Sequence, residues 1–212
     1  MDDFQTEEQQ VEWIKKFWHE NGNSLIAGLV IGLGSFVGFN YYQDSQVEAQ
    51  EALSAEFQAT MESFVAKEDN FRTNAQAFID ANKENSYSAF AAFALAKDAS
   101  SHQDWAGAQA HLEQAATLAS SDNMKAIAYI RLARVQIQQQ SYADALATLA
   151  TPMPESYAAS IEEIKGDAYL LQGNSEAART AYQASADAGG LQTNPALQIK
   201  IDDLAVAITT AN

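Results

Sequence analysis

One stretch of this chain, LIAGLVIGLGSFVGFNYY at residues 25–42, constrains the rest, because it is apolar and carries no charge. As a helix it spans about 27 Å, close to the roughly 30 Å hydrocarbon thickness of a bilayer. Trp13 and Trp18 precede it, and Tyr41 and Tyr42 close it. Such amphipathic rings favour the headgroup levels on either side. Two other readings compete. A buried core helix would be weakened by four glycines without compensation. A cleaved signal peptide has a short basic start and a small-x-small cleavage site, whereas this start is long and acidic. The stretch therefore reads as an uncleaved signal-anchor.

Lys15 and Lys16 precede the stretch, and the next basic residue is Lys67. Basic residues stay on the cytoplasmic side, while acidic neighbours count for little. The expected layout is a cytoplasmic tail over 1–24, a transmembrane helix over 25–42 and an external domain over 43–212, periplasmic if the membrane is a bacterial inner membrane. Within the span, Gly28 and Gly32 form a G-x-x-x-G pair, as do Gly34 and Gly38. Small residues at that spacing let a second helix approach closely, although glycine is also common in membrane helices generally.

The formal net charge is -16, from 12 basic and 28 acidic residues. A surface of that sign repels nucleic acid and anionic headgroups, so neither is an expected ligand of the external domain. Solubility alone accounts for such acidity. There is no cysteine, which removes disulfide scaffolds, thiolate zinc sites, cysteine nucleophiles and lipoprotein anchoring.

Residues 43–212 show helical rather than alternating periodicity. Val47, Leu53, Phe57, Met61 and Phe64 fall near one face of a helix just beyond the span. The segment GDAYLLQGNSEAARTAY has Gly166-x2-Tyr169, Gly173 and Ala178-x3-Tyr182. That order resembles the tetratricopeptide repeat, a helix–turn–helix unit of about 34 residues. Gly166 and Ala178 are small where antiparallel helices touch, and Gly173 ends the first helix. The same alanine-then-large spacing recurs at Ala145-x3-Leu149, at Ala108-x3-Leu112 and, more faintly, at Ala75-x3-Ile79. These alanines lie 33, 37 and 33 residues apart. After Gly189-Gly190 and Asn194-Pro195, residues Ala196–Ile208 read as a final amphipathic helix that caps the stack. The expected fold is all-α: one transmembrane helix, then a tetratricopeptide-like α-solenoid with a C-terminal cap.

No catalytic constellation is present, and the chain reads as a binding protein rather than an enzyme, without cofactor or metal. His102 and His111 flank Trp105, but no third ligand follows at a convincing spacing. His19 sits at the membrane edge, the serines lack a nucleophile elbow, and no glycine loop would cradle a phosphate. Glu162 and Glu163 read as a solvated acidic pair. The first helices of stacked hairpins line a face suited to extended peptides. If Leu95 and Leu132 pack inward, the residues rotated onto that face are Phe90, Phe93 and Lys97, then Ile130, Arg134 and Ile137, then Glu163, Asp167 and Leu170. The competing reading makes Phe90 and Phe93 ordinary core.

Three segments together carry a family likeness: EEQQVEWIKKFWHENGNSL running into GLVIGLGSFVGFNYY, then KAIAYIRLARVQIQQQSYADALATL, then KGDAYLLQGNSEAARTAY. In this order they resemble the YfgM family, ancillary subunits of the bacterial SecYEG translocon, over essentially the whole chain. The resemblance implies an inner-membrane adaptor at the translocon exit that passes exported polypeptides to periplasmic chaperones, in a complex with the membrane-anchored chaperone PpiD. It also implies a link to a cytoplasmic response regulator through the N-terminal tail. A periplasmic repeat scaffold for a cell-wall or division complex would use the same anchor and repeats.

Overall fold

A computed structural model describes residues 7–210, with side chains described as far as residue 204. The first helix, α1 (Glu7–Val65), continues without a break through the apolar stretch. Among the described residues it is the one helix long and apolar enough to cross a membrane. The chain divides into two compact units at Ser54/Ala55, so α1 does not end at residue 42, and its last turns belong to the second unit.

In the first unit the apolar side chains of the span face outward. Leu29, Val30, Ile31, Phe36 and Val37 are all exposed. Such a surface calls for cover, by lipid or by another apolar surface. Before it, Trp13 and Phe17 stack one helical turn apart at 5.4 Å between ring centroids.

The second unit is built of helical hairpins. The end of α1 is followed by α2 (Phe71–Ala81), α3 (Ser86–Ser101), α4 (Trp105–Leu118), α5 (Asp122–Gln138) and α6 (Tyr142–Leu149). A 3-10 turn at Glu155–Tyr157 leads into α7 (Ala158–Leu171) and α8 (Ser175–Asp187), then the short α9 (Gly190–Thr193) and α10 (Ala196–Thr210). Helix α3 pairs with α4, α5 with α6, and α7 with α8. Each pair also touches the next, through α4 against α5 and α6 against α7. This is the nearest-neighbour stacking of a repeat array.

The repeat alanines explain the pairing. Ala75, Ala108, Ala145 and Ala178 are all 0% exposed, one on the second helix of each hairpin. Their partners one turn on, Ile79, Leu112, Leu149 and Tyr182, are buried too. A small residue at the crossing lets two helix axes approach, and the large one fills the space beside it. At the start of the unit, Phe57 of α1 stacks on Tyr87 at 4.7 Å and Phe64 packs on Phe71 at 4.9 Å.

The hairpin turns share one geometry. Lys67, Gln103, Gln140 and Gly173 have φ of 56°, 59°, 63° and 83°. In each, the left-handed residue's N–H donates three residues back, and the next N–H donates five back, as in Gln103 N to Ser100 O and Asp104 N to Ala99 O. This is the Schellman arrangement, which satisfies the free carbonyls of a helix end. The next helix then starts on a side-chain cap in two hairpins, where Asp104 accepts from Gly107 N and Asn174 from Ala177 N.

Helix α10 closes the stack. Leu197 and Leu204 bury themselves with Tyr182 of α8, so the last apolar face is covered. Gly190 allows the approach, since a Cβ there would meet the Ser185 carbonyl and the Leu197 side chain.

Candidate functional site

Helices α3 and α5 are successive first helices, and between them lies a cleft of about 440 Å³ over α4. Its lining is Phe93, Ala96, Lys97 and Ser100 from α3, Leu112 from α4, and Arg131, Arg134 and Val135 from α5. The i, i+4 and i, i+3 spacings within α3 and α5 put each set on one helix face. Phe93 is only 9% exposed and forms part of the floor. The Arg131 guanidinium lies 4.9 Å from the centroid of that ring, and Lys97 Nζ lies 5.8 Å from the Phe64 ring. Aromatic faces hold these cations in place by their quadrupoles. No carboxylate lines the cleft.

Three of the sequence-derived residues, Phe93, Lys97 and Arg134, therefore meet in one place. Phe90 does not line the cleft and is 46% exposed. Ile130 and Ile137 do not face outward as the sequence reading had them. Both are buried in a core with Ala133, Ala145, Leu149, Ile164 and Ala168. The physical reason is that α5 is flanked by α4, α6 and α7 and buries most of its circumference, so extrapolating from a single buried face fails. Arg131, Val135 and Leu112 belong to the cleft but were missed by sequence reasoning. The signal for Arg131 was present, as an R-x-x-R pair at helical spacing with Arg134.

Glu163 and Asp167, expected on the same face, belong to a polar network with α10. Lys200 Nζ donates to Glu163 Oε1 at 2.8 Å and to Asp167 Oδ1 at 2.7 Å. Asn194 donates to Glu163 at 2.8 Å, and the Tyr182 hydroxyl donates to Asp167 at 2.7 Å. Burial acts to raise the Glu163 carboxyl, but hydrogen bonds from Lys200 and Asn194, with the Lys200 and Arg134 charges, hold it below its ordinary value. Burial acts to lower the Lys200 ammonium, and its two carboxylate partners hold it above its ordinary value. Burial and the Asp167 charge push the Tyr182 hydroxyl far up, so it stays a donor. Leu170 is 40% exposed and lies outside both features.

His102 sits beside the Arg72–Asp98 ion pair rather than facing a metal site. Among the described residues no three metal-ligating side chains converge. In the span, a Cβ at Gly28, Gly32, Gly34 or Gly38 would meet nothing within 4 Å, so both glycine pairs present open backbone.

Comparison with known proteins agrees with this architecture. The tetratricopeptide repeat-like domain family matches residues 15–206. An ancillary SecYEG translocon subunit of Escherichia coli is 32% identical over 210 residues, covering 97% of this chain and all of that protein. A protein of the same description from Haemophilus influenzae is 30% identical over 93% of this chain, and one from Neisseria gonorrhoeae is 28% identical over 93%. No solved structure matches the chain.

Proposed function

The chain belongs to the tetratricopeptide repeat-like family of ancillary SecYEG translocon subunits, and on that premise we propose that it is a membrane-anchored, non-enzymatic adaptor of the translocon. Residues 25–42 cross the inner membrane once, residues 1–24 stay in the cytoplasm, and the repeat domain faces the periplasm. The repeats receive exported polypeptides and pass them toward a membrane-anchored chaperone of the PpiD kind. The observation that carries this reading is the open cleft on the first-helix face of a chain that also bears an exposed apolar helix of bilayer length. An adaptor needs a fixed place and a surface that takes varied chains, and stacked hairpins supply the second. The glycine pairs give a place where a helix of the translocon or of the chaperone would pack.

Photo-crosslinking in intact cells tests the assignment, with probes at Gly32 in the span and Leu170 on the repeats. The reading expects adducts to translocon subunits or to the chaperone. Adducts confined to cell-wall or division enzymes would contradict it and point to a scaffold of another envelope complex.

A further inference from the structure

The cleft between α3 and α5 has a charge opposite to that of the protein around it. The whole chain carries 28 acidic residues against 12 basic ones. Of the basic side chains beyond the span, Arg72, Lys165, Arg179 and Lys200 each pair with a carboxylate. Among the described residues Lys97, Arg131 and Arg134 form no ion pair, nor do Lys67, Lys83 and Lys125, but the first three gather in one cleft. No carboxylate lines the cleft, and Glu163 acts on Arg134 by its charge without forming an ion pair. Instead, two of these cations rest over the faces of Phe64 and Phe93. A guanidinium stacked by its face keeps its edge N–H donors free, and that edge matches a carboxylate in a two-pronged fit. Between the cations the floor is apolar, from Phe93, Ala96, Leu112 and Val135.

We infer that this cleft takes an extended polypeptide segment that carries carboxylates beside a buried apolar side chain. The inference rests on the adaptor reading and names the class of segment that the adaptor holds. Electrostatics decide the preference. Elsewhere the acidic surface repels such a segment, so the cleft is where its charge is attracted. The apolar floor supplies burial that a free carboxylate or phosphate cannot use. A basic segment would meet three like charges there.

The test uses the full chain in lipid nanodiscs and the fluorescence anisotropy of a labelled peptide rich in glutamate and leucine, against its glutamine counterpart. The glutamate peptide is expected to bind about ten-fold more tightly at low salt, the sum of two or three exposed charge pairs, and to lose that margin as salt rises. Arg131→Gln with Arg134→Gln should abolish the margin, while Arg179→Gln, an equal loss of charge per residue elsewhere, should leave it intact. Equal binding of the two peptides, or an equal effect of Arg179→Gln, would overturn the inference. So would self-association of the chain that disappears in the double variant, since the occupant would then be a second copy. If neither peptide binds while span probes still reach the translocon, this inference falls and the adaptor reading stands.

Discussion

Gly166 of α7 lies against the ring of Tyr182 of α8 so closely that a Cβ at 166 would overlap the ring's Cδ1 and Cε1 atoms. The ring itself is 0% exposed, so it has no room to swing aside. The closest helix crossing in the last hairpin therefore depends on an absent methyl group. Gly166→Ala is expected to destabilise the repeat domain by about 1–3 kcal/mol, the usual cost of overpacking. Urea unfolding of the full chain in detergent, followed by far-ultraviolet circular dichroism, measures it. Tyr182→Phe keeps the ring and loses the bond to Asp167, so its cost should be smaller, about 1 kcal/mol.

Three of the four hairpin turns place a residue other than glycine in the left-handed region. That conformation costs an L-residue roughly 1 kcal/mol, and glycine avoids the penalty at some entropic cost. Gln103→Gly and Gln140→Gly are therefore expected to stabilise the domain by about 0.5 kcal/mol each. Gly173→Ala should do the reverse. The same unfolding measurement reads all three, and a loss of stability in both glutamine variants would contradict the turn geometry.

The Lys200 network sets how docking of α10 responds to pH. The Glu163 carboxyl is depressed, so its contribution is present above the unfolded-state value and is lost as pH falls through the lower folded one. The Lys200 ammonium is raised, so its contribution is complete below the unfolded-state value and is lost as pH rises through the higher folded one. Stability should thus be flat through neutrality, falling below the ordinary glutamate range and again above the ordinary lysine range. Thermal unfolding against pH checks this. Lys200→Met should lower the neutral plateau and flatten both edges, and an unchanged profile would show that the network is not coupled to folding.

The open glycine faces in the span make a separate prediction. Gly32→Ile keeps the segment apolar, so insertion and the repeat fold should be unaffected. It places a branched side chain where a neighbouring backbone would lie. Crosslinks from Gly28 and neighbouring face positions to another membrane helix are expected to drop several-fold. Persistence at the original yield would mean that the glycines face lipid.

The parts of this structure legible in the sequence were those fixed by a local rule. The long apolar helix followed from an uncharged stretch of bilayer length, and the hairpins from alanines at nearly constant spacing, each now at a buried helix crossing. The repeat turns were harder to read. Gly173 announces a left-handed residue, whereas Lys67, Gln103 and Gln140 do not, because the surrounding hairpin imposes their conformation. The candidate site was legible only in part. Phe93, Lys97 and Arg134 meet at the cleft, but Ile130 and Ile137 went into the core, since burial around α5 is decided by three neighbouring helices rather than by its own periodicity. The Lys200 bridge to Glu163 and Asp167 joins residues 37 and 33 positions apart. No local pattern encodes such a pairing.

The most direct test of the central claim is crosslinking between the cleft and a polypeptide caught in export. Photo-reactive probes at Ser100 and Arg134, with an exported chain stalled in the translocon of intact cells, read this contact. The account predicts adducts to the stalled chain from both positions, and none from a probe at Gln183 on α8, outside the cleft. Equal adducts from all three positions, or adducts only to proteins unconnected with export, would contradict it.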